Sequence, residues 1–178
     1  MNVSDNNFHI CYTCTLKQTC CRETKPPITR KRRKIIERYL NKNNIGITNP
    51  FEKTDYVFPK IHIDGFCIFF HRKSKKCLVH EVKPETCIAG PITFDLNFQT
   101  RTIEWYIKSP KICPLVNQLN DNIEEMETRL KIAKNALKNF LRDVEMEDLR
   151  SILKIEEPDT FKVDEEPLDG DILEKLEQ

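Results

Sequence analysis

Glycine is scarce in this chain, and its scarcity excludes several functions. Four glycines occur in 178 residues, and they stand far apart: Gly46, Gly65, Gly90 and Gly170. A phosphate-binding loop or a dinucleotide fingerprint needs several glycines within a few residues of one another. The sequence also lacks the serine elbow of the α/β-hydrolases. Nucleotide-dependent and serine-hydrolase chemistry of these common kinds is therefore not expected.

A catalytic zinc motif is also missing. His80-Glu81 resembles the start of a zinc-protease helix, but that motif needs a second histidine one helical turn later, and Pro84 occupies that region. Cys21 or Cys113 could serve as a free nucleophile, yet no histidine or carboxylate is recognisably assigned to either. The sequence leaves open whether the chain is an enzyme.

Long apolar runs are absent. No stretch approaches the roughly 20 residues that a membrane-spanning helix requires, and the mean hydropathy is −0.55. The first residues have neither a basic start nor an apolar stretch of signal-peptide length. We therefore expect a cytoplasmic protein in a reducing compartment, where its cysteines do not form structural disulfides.

Cysteine is abundant by contrast. Four of the eight cysteines crowd into the first two dozen residues, three follow at equal intervals of ten, and one stands alone: Cys11, Cys14, Cys20, Cys21, Cys67, Cys77, Cys87 and Cys113. Cys11 and Cys14 have the two-residue spacing that lets two sulfurs reach one ion from a tight turn. The clustering predicts that all eight are metal ligands.

The number and type of metal centres stay open at this stage. Eight thiolates suit two tetrahedral zinc sites, or one or two iron–sulfur clusters such as 4Fe-4S. Cys20 and Cys21 point apart if the chain is extended there, so they need not share an ion. Histidines close to cysteines could each replace a thiolate: His9, His62 and His71. Cations that could steady an anionic cluster also lie within a few residues of a cysteine: Lys17, Arg22, Arg72, Lys73, Lys75, Lys76 and Lys83.

The combined cysteine pattern resembles a known family. The pattern is Cys-x2-Cys-x5-Cys-Cys, then Gly-Phe-Cys-Ile-Phe-Phe, then Lys-Cys-Leu-Val-His-Glu-Val-Lys-Pro-Glu-Thr-Cys and a later Ile-Cys-Pro. It is similar to the YkgJ-like cysteine-cluster family. That family is described as a zinc- or iron-chelating domain and is named for its CxxCxxCC signature. The resemblance covers about residues 11–115.

The resemblance implies that the eight cysteines form the chelating set. Related domains occur in proteins called iron-sulfur oxidoreductases and in flagellin lysine methylases, so it also implies redox or accessory roles. This chain departs from the usual pattern, because its first loop is longer, His80 replaces a typical Tyr, and Lys83 and Ile88 replace typical Arg residues. The ligand assignment does not depend on those positions, whereas any role of the arginines is not transferred.

The first half of the chain predicts short elements around the cysteines. A helix is expected over residues 30–44, with Thr29 as N-cap and Gly46 as the stop. Residues 47–64 are interpreted as a connector, and residues 66–71 and 78–80 as short strands. Period-two alternation then predicts a hairpin over residues 92–107 with one buried face, formed by Ile92, Phe94, Leu96, Phe98, Ile103, Trp105 and Ile107.

The second half predicts helices and an acidic tail. An apolar stripe from Leu119 to Val144, spaced alternately by four and three residues, predicts one unbroken helix from Pro114. A short helix is expected over residues 147–155. Residues 156–178 carry a net charge of −8 against +9 for residues 1–155. We expect this tail to be loosely ordered, with one docked turn over residues 172–176.

Together these observations predict an α+β protein. Residues 1–115 are expected to form a small metal-stapled, cysteine-rich domain with a short antiparallel hairpin. A long C-terminal helix follows, within a helical segment packed on that domain (116–155). The acidic tail comes last (156–178). The expected oligomeric state is a monomer or weak dimer.

The favoured function is metal binding. We expect an iron–sulfur cluster, slightly preferred, or Zn²⁺, serving redox chemistry, metal handling or the assembly of a partner enzyme. One alternative is a structural zinc domain that binds nucleic acid through the basic run from Arg30 to Lys34. Besides nucleic acid, this run could meet phosphate or the acidic tail of the same chain. A second alternative is an accessory subunit of a methyltransferase or oxidoreductase.

Overall fold

The structure, a computed structural model, describes residues 20–157 and 159–177. In chain order the elements are helix α1 (Arg30–Lys42), strands β1 (Phe51–Lys53), β2 (Val57–Pro59), β3 (Phe70–His71) and β4 (Lys76–Cys77), a 3₁₀ turn (His80–Val82), helix α2 (Glu85–Ala89), strands β5 (Ile92–Asn97) and β6 (Thr102–Lys108), helices α3 (Leu115–Asn120), α4 (Ile123–Asp143) and α5 (Met146–Ile152), strand β7 (Thr160–Pro167) and helix α6 (Gly170–Leu176).

The fold class is mixed α+β, as predicted. The strands form two small hairpins, β1-β2 and β3-β4, and one three-stranded antiparallel sheet in the order β5-β6-β7. The long helix is not C-terminal, because a helix, a strand and another helix follow it. Within the described residues, none of the helices has the length and apolar character needed to cross a bilayer.

Helix α1 begins where its cap residue predicts. The Thr29 hydroxyl accepts a hydrogen bond from the backbone N–H of Arg32 at 3.1 Å and so satisfies one of the free donors of the first turn. Its end differs from the expectation. Asn44 has a left-handed backbone, and the Ile45 N–H bonds to the Leu40 carbonyl at 3.0 Å, which closes the helix two residues before Gly46.

The first hydrophobic core lies between α1 and the segments that carry the cysteines. Its buried members are Ile28, Ile36, Leu40, Phe51, Cys67, Phe69 and Val79. The connector predicted over residues 47–64 instead contains the β1-β2 hairpin, in which Phe51 pairs with Pro59. The Phe51 ring meets the Phe69 ring edge-on at 6.0 Å, so burial of these aromatic side chains fixes a hairpin that its short, irregular sequence does not reveal.

The strands around the second cysteine group are shorter than predicted. Residues 66–71 were expected to be a strand, but only Phe70 and His71 belong to β3; they pair with Cys77 and Lys76. The strand expected over residues 78–80 was wrong, since the chain turns there into the 3₁₀ turn. Two-residue pairings of this kind depend on neighbouring loops, which a periodicity argument does not detect.

The hairpin predicted over residues 92–107 is confirmed as β5-β6. Ile92 pairs with Ile107 and Phe94 with Trp105, and Trp105 is completely buried. Phe98 was wrongly assigned to the buried face. It lies in the turn after β5 and is 61% exposed, because the strand ends at Asn97, whose side chain accepts hydrogen bonds from the turn backbone.

The helix expected from Pro114 is broken in two. Asp121 ends α3, and the Asn122 side chain accepts a hydrogen bond from the Glu125 N–H at 3.1 Å, which makes it the N-cap of α4. Ile123 is consequently 75% exposed and does not belong to the apolar stripe. From Ala133 onward the stripe is buried as expected, with Leu137 and Phe140 fully enclosed.

The acidic tail is ordered, contrary to expectation. Residues 160–167 form β7, which pairs antiparallel with β6, and α6 buries Ile172 completely. The carboxylates of this segment face the cations of α4: Lys134 pairs with Asp164 and Glu166, at 2.5 and 2.8 Å. The opposite charges of two distant segments thus offset each other, and the tail completes the second core. That core consists of Ala89, Ile92, Leu96, Ile103, Trp105, Ile107, Val116, Leu119, Ala133, Leu137, Phe140, Leu141, Val144, Leu149, Leu168 and Ile172.

Candidate metal centre

Two cysteine-bearing segments lie side by side. The chain from Cys20 to Glu23 runs antiparallel to residues 65–67, with the Cys67 N–H bonded to the Cys21 carbonyl at 2.8 Å. The Glu23 N–H bonds to the Gly65 carbonyl at 2.7 Å in the same ladder. These backbone bonds bring the first cysteine group to the second.

Cys20 and Cys21 lie in a turn rather than in extended chain. Their side chains therefore do not point apart as an extended segment would direct them, and the Cys21 thiol donates a hydrogen bond to the Cys20 sulfur. The alternation of an extended chain therefore does not separate these two residues, so it is no longer an argument for separate centres.

Cys67 occupies a turn that is suited to a thiolate. The Phe69 N–H donates to the Cys67 sulfur, and the Phe70 N–H bonds to the Cys67 carbonyl at 2.9 Å. Backbone N–H donors of this kind stabilise a negatively charged sulfur. The β3-β4 hairpin then returns Cys77 to a position opposite Phe70.

Cys87 is presented by helix α2. The first residue of this short helix, Glu85, anchors it to α1. Its carboxylate, 5% exposed, accepts a hydrogen bond from Arg32 at 2.7 Å. From the other side, the buried Arg129 of α4 donates to the Ile88 and Gly90 carbonyls at the end of α2. Cys87 is thus held between the two cores.

The thiols act on each other electrostatically. The Cys21 hydrogen bond, together with the charges of Lys83 and Lys108, lowers the pKa of Cys20 to about 6, although partial desolvation opposes this. The hydrogen bond to Cys20, followed by burial and by the charges of Cys20, Cys77 and Cys87, raises the pKa of Cys21.

Burial is the main cause of the pKa shifts at Cys67 and Cys87. It raises the pKa of Cys67 to about 12, with further increases from the charges of Cys77 and Cys20. Burial and the charges of the other thiols also raise the pKa of Cys87, while Lys83 lowers it. Five cysteines, from the segments at 20–21, 67, 77 and 87, are therefore within electrostatic reach of one another.

This arrangement has a definite chemical consequence. One thiolate is readily formed, but each further ionisation is opposed by the charge already present and by burial. A bound cation would remove that opposition, because it neutralises the sulfurs and displaces their protons. The donor set therefore fits a thiophilic metal ion or cluster. Over residues 20–157 and 159–177, however, no three or more His, Cys, Asp or Glu side chains already have the arrangement of a metal site.

The other predicted ligands differ in their surroundings, and some lie outside the described residues. Cys11, Cys14 and His9 lie outside the described residues. Cys113 is half-buried after β6, where its N–H bonds to the Ser109 carbonyl at 2.9 Å, and its side chain packs against the second core. None of the six cysteines in the described part of the chain forms a disulfide. His62 and His71 line a cleft to which none of the six described cysteines contributes.

Two cations in the described part of the chain act on the thiols, whereas Lys17 lies outside it. Lys83, which sequence proximity to cysteine had singled out, is 5% exposed and acts on Cys20 and Cys87. Lys108 was missed because it lies at the end of β6, far along the chain from Cys20. No local pattern signals such a contact, since only the fold brings these segments together.

The basic run of α1 is largely committed to carboxylates of the same chain. Arg30 pairs with Glu145 at 3.5 Å, Lys31 with Asp143 at 3.1 Å, and Arg32 with Glu85 as described above. Glu85 lies in α2, Asp143 ends α4 and Glu145 precedes α5, so the acidic residues beyond 156 are not among these partners.

An α+β fold in which thiols from several distant segments gather beside two lysines defines a cysteine-cluster protein. The comparison with protein families agrees. A family model named CxxCxxCC, described as “Putative zinc- or iron-chelating domain”, matches residues 10–129. The chain belongs to this family. No curated protein and no solved structure matches it.

Proposed function

We propose that this protein binds an iron–sulfur cluster, or alternatively Zn²⁺, through its clustered thiols. The observation that carries the proposal is the mutual electrostatic influence of Cys20, Cys21, Cys67, Cys77 and Cys87, which come from four separate parts of the sequence. Cys11 and Cys14 are proposed to complete the ligand set together with Cys113. Such a group would supply one-electron transfer if it is a cluster, or structural cross-linking if it is zinc.

The residues around the sulfurs support an anionic metal centre. Four thiolates around a divalent ion leave a net charge of −2, which is costly to bury without nearby cations or N–H donors. Lys83 and Lys108 supply positive charge, and the Phe69 N–H supplies a donor to Cys67. The all-sulfur character of the proposed ligands is the reason for the slight preference for iron over zinc, since thiolates suit both.

The proposed role of this centre is redox chemistry, metal handling or assembly of a partner enzyme. No base or nucleophile pair is recognisable beside them in the described residues, so the proposed centre serves another protein rather than a substrate held by this chain alone. A reducing cytoplasm is the proposed compartment, because it keeps the thiols available for metal.

Nucleic-acid binding through Arg30 to Lys34 is less well supported. Four of these five cations, Arg30 to Arg33, already face carboxylates of the same chain, and displacing those ion pairs would oppose phosphate binding. The structure adds no observation that favours the methyltransferase or oxidoreductase subunit.

The test is a direct measurement of bound metal. We expect protein purified without oxygen to contain at least one metal per chain, with a broad visible absorption band and acid-labile sulfide if the centre is an iron–sulfur cluster, or colourless protein with stoichiometric zinc otherwise. Less than one metal per chain under these conditions would overturn the proposal.

A matched pair of substitutions on α2 links the metal to the thiols. Cys87→Ser should lower the metal content at least threefold. Thr86→Val, at the adjacent position, should leave it unchanged, because the buried Thr86 hydroxyl has no hydrogen-bond partner in the described residues. Equal metal content in both variants would exclude Cys87 as a ligand.

A further inference from the structure

A cleft of about 530 Å³ lies beside the β3-β4 hairpin. It is within the size range of small-molecule sites, which is roughly 300–1,000 Å³. Among the described residues its lining contains no cysteine; the lining residues are His62, Ile63, Asp64, Phe70, His71, Arg72 and Lys73.

Arg72 is held in a fixed orientation at this cleft. Its guanidinium carbon lies 4.2 Å from the centre of the Phe66 ring, and that ring stacks on Phe70 with the two centres 4.7 Å apart. Cation–π contact of this kind keeps the guanidinium plane against the aromatic surface. The Arg72 Nη2 atom donates to the Asp64 carboxylate, and within the described residues the Nε and Nη1 donors have no hydrogen-bond partner. Two of the three guanidinium nitrogens are therefore available to a ligand.

His71 presents a defined donor at the same cleft. The Ser74 backbone N–H donates to His71 Nδ1 at 3.3 Å, and the Ser74 hydroxyl lies 2.7 Å from the same atom. Because Nδ1 accepts from a backbone N–H, the neutral ring carries its proton on Nε2. The exposed ring thus offers an N–H donor to the cleft.

The charge of the surrounding segment is strongly positive. Five lysines and arginines lie between residues 60 and 76 against one carboxylate, Asp64. Lys73 is exposed at the cleft and has no ion-pair partner in the described part of the chain. The acidic residues of β7 and α6 do not neutralise this charge, since those that form ion pairs with α4 are engaged by Lys134, Lys138 and Arg142.

We propose that this cleft binds a small phosphate-bearing molecule, with Arg72, His71 and Lys73 as the donors to its phosphate. A flat guanidinium, an imidazole N–H and an ammonium suit the several oxygens of a tetrahedral dianion. A small ligand is favoured over a nucleic acid because the site is a local cleft, the whole chain has a net charge of only +1, and the basic helix α1 is engaged in ion pairs. The proposal does not depend on the metal.

The test titrates full-length protein, as purified, with inorganic phosphate, pyrophosphate and glycerol 3-phosphate at constant ionic strength. Amide chemical shifts should report saturable binding of at least one of these at residues 62–73. Arg72→Gln should weaken that binding by at least tenfold, since it removes the charged hydrogen-bond donor that faces the phosphate. The matched control is Lys131→Gln, which removes an exposed lysine beside a different cleft on α4 and should change nothing.

A single-stranded oligonucleotide is titrated in parallel. Three outcomes would overturn this proposal: no saturable binding up to about 10 mM of any of the three anions, equal weakening by both substitutions, or saturable binding of the oligonucleotide alone. Metal content is measured on the same samples. Unchanged metal in Arg72→Gln separates this site from the thiol centre, so either proposal can fail without the other.

Discussion

At the scale of single residues, cysteines of identical chemistry differ because their surroundings differ. A hydrogen bond and two lysines lower the pKa of Cys20 to about 6, whereas burial raises the pKa of Cys67 to about 12. The sequence predicted both as ligands and could not rank their acidity. A thiol pKa depends on burial and on charges that arrive from distant segments, and neither quantity is encoded in the neighbouring residues.

The Arg32–Glu85 ion pair is the residue-scale contact that joins α1 to the helix carrying Cys87. The Glu85 side chain is only 6% exposed, so removing Arg32 would leave a buried carboxylate without its cation. We expect Arg32→Met to lower the free energy of unfolding by about 3 kcal/mol, measured by urea denaturation.

Arg30→Met is the matched control on the same helix. Its ion pair with Glu145 is exposed on both sides, and such pairs contribute about 0–1 kcal/mol. Similar losses of stability in the two variants would show that burial of Glu85 does not determine the effect.

At the scale of elements, the confirmed predictions came from local signals, although other local signals failed, and pairing between distant segments was not foreseen. Thr29 as a cap and the alternation of β5 and β6 are properties of a few consecutive residues, and both predictions were confirmed. Strand β7 was missed because its sequence is rich in acidic residues, which disfavour strands in isolation. It forms because β6 supplies hydrogen bonds and α4 supplies cations.

Helix α6 should be a stabilising part of the fold rather than a dispensable end. Ile172 is completely buried in the second core, so Ile172→Ala should lower the free energy of unfolding by about 2–5 kcal/mol. The measurement is again urea denaturation. Ile155→Ala removes the same atoms at a position that is 49% exposed and should have a much smaller effect. Equal effects would indicate that α6 is detached in solution.

At the scale of the whole molecule, the separation of charge along the sequence becomes an internal interface. The cations Lys134, Lys138 and Arg142 of α4 meet carboxylates of β7 and α6. The predicted contrast between a basic body and an acidic tail was therefore a true property of the sequence, but its consequence is attachment of the tail and not disorder.

This interface predicts a loss of stability in acid. Hydrogen bonds from Lys134 and Arg142 lower the pKa of Asp164 and Asp171 below the ordinary 3.8. Burial opposes the same change at Glu166, but Lys134 and Lys138 lower its pKa below 4.5. As the pH falls, the unfolded chain takes up protons first, so this stabilisation is complete above about pH 5 and is lost as the pH falls through the lowered pKa values.

The measurement is the urea midpoint between pH 7 and pH 3. We expect the midpoint to fall steeply below about pH 4, and the fall to be shallower in a Lys134→Met, Lys138→Met double variant. Lys131→Met should retain the parent profile. Identical pH profiles for the parent and the double variant would exclude the interface as the cause.

The sequence by itself determined the thiol chemistry, the family, helix α1 and the β5-β6 hairpin. Cysteine spacing, a capping hydroxyl and period-two alternation each act within a few residues, so no tertiary information is needed to interpret them. Only the tertiary structure decided which thiol ionises first, that Lys83 and Lys108 accompany Cys20, and that the acidic tail completes a core. These features depend on burial and on charges separated by many residues, and those distances exist only once the chain has folded.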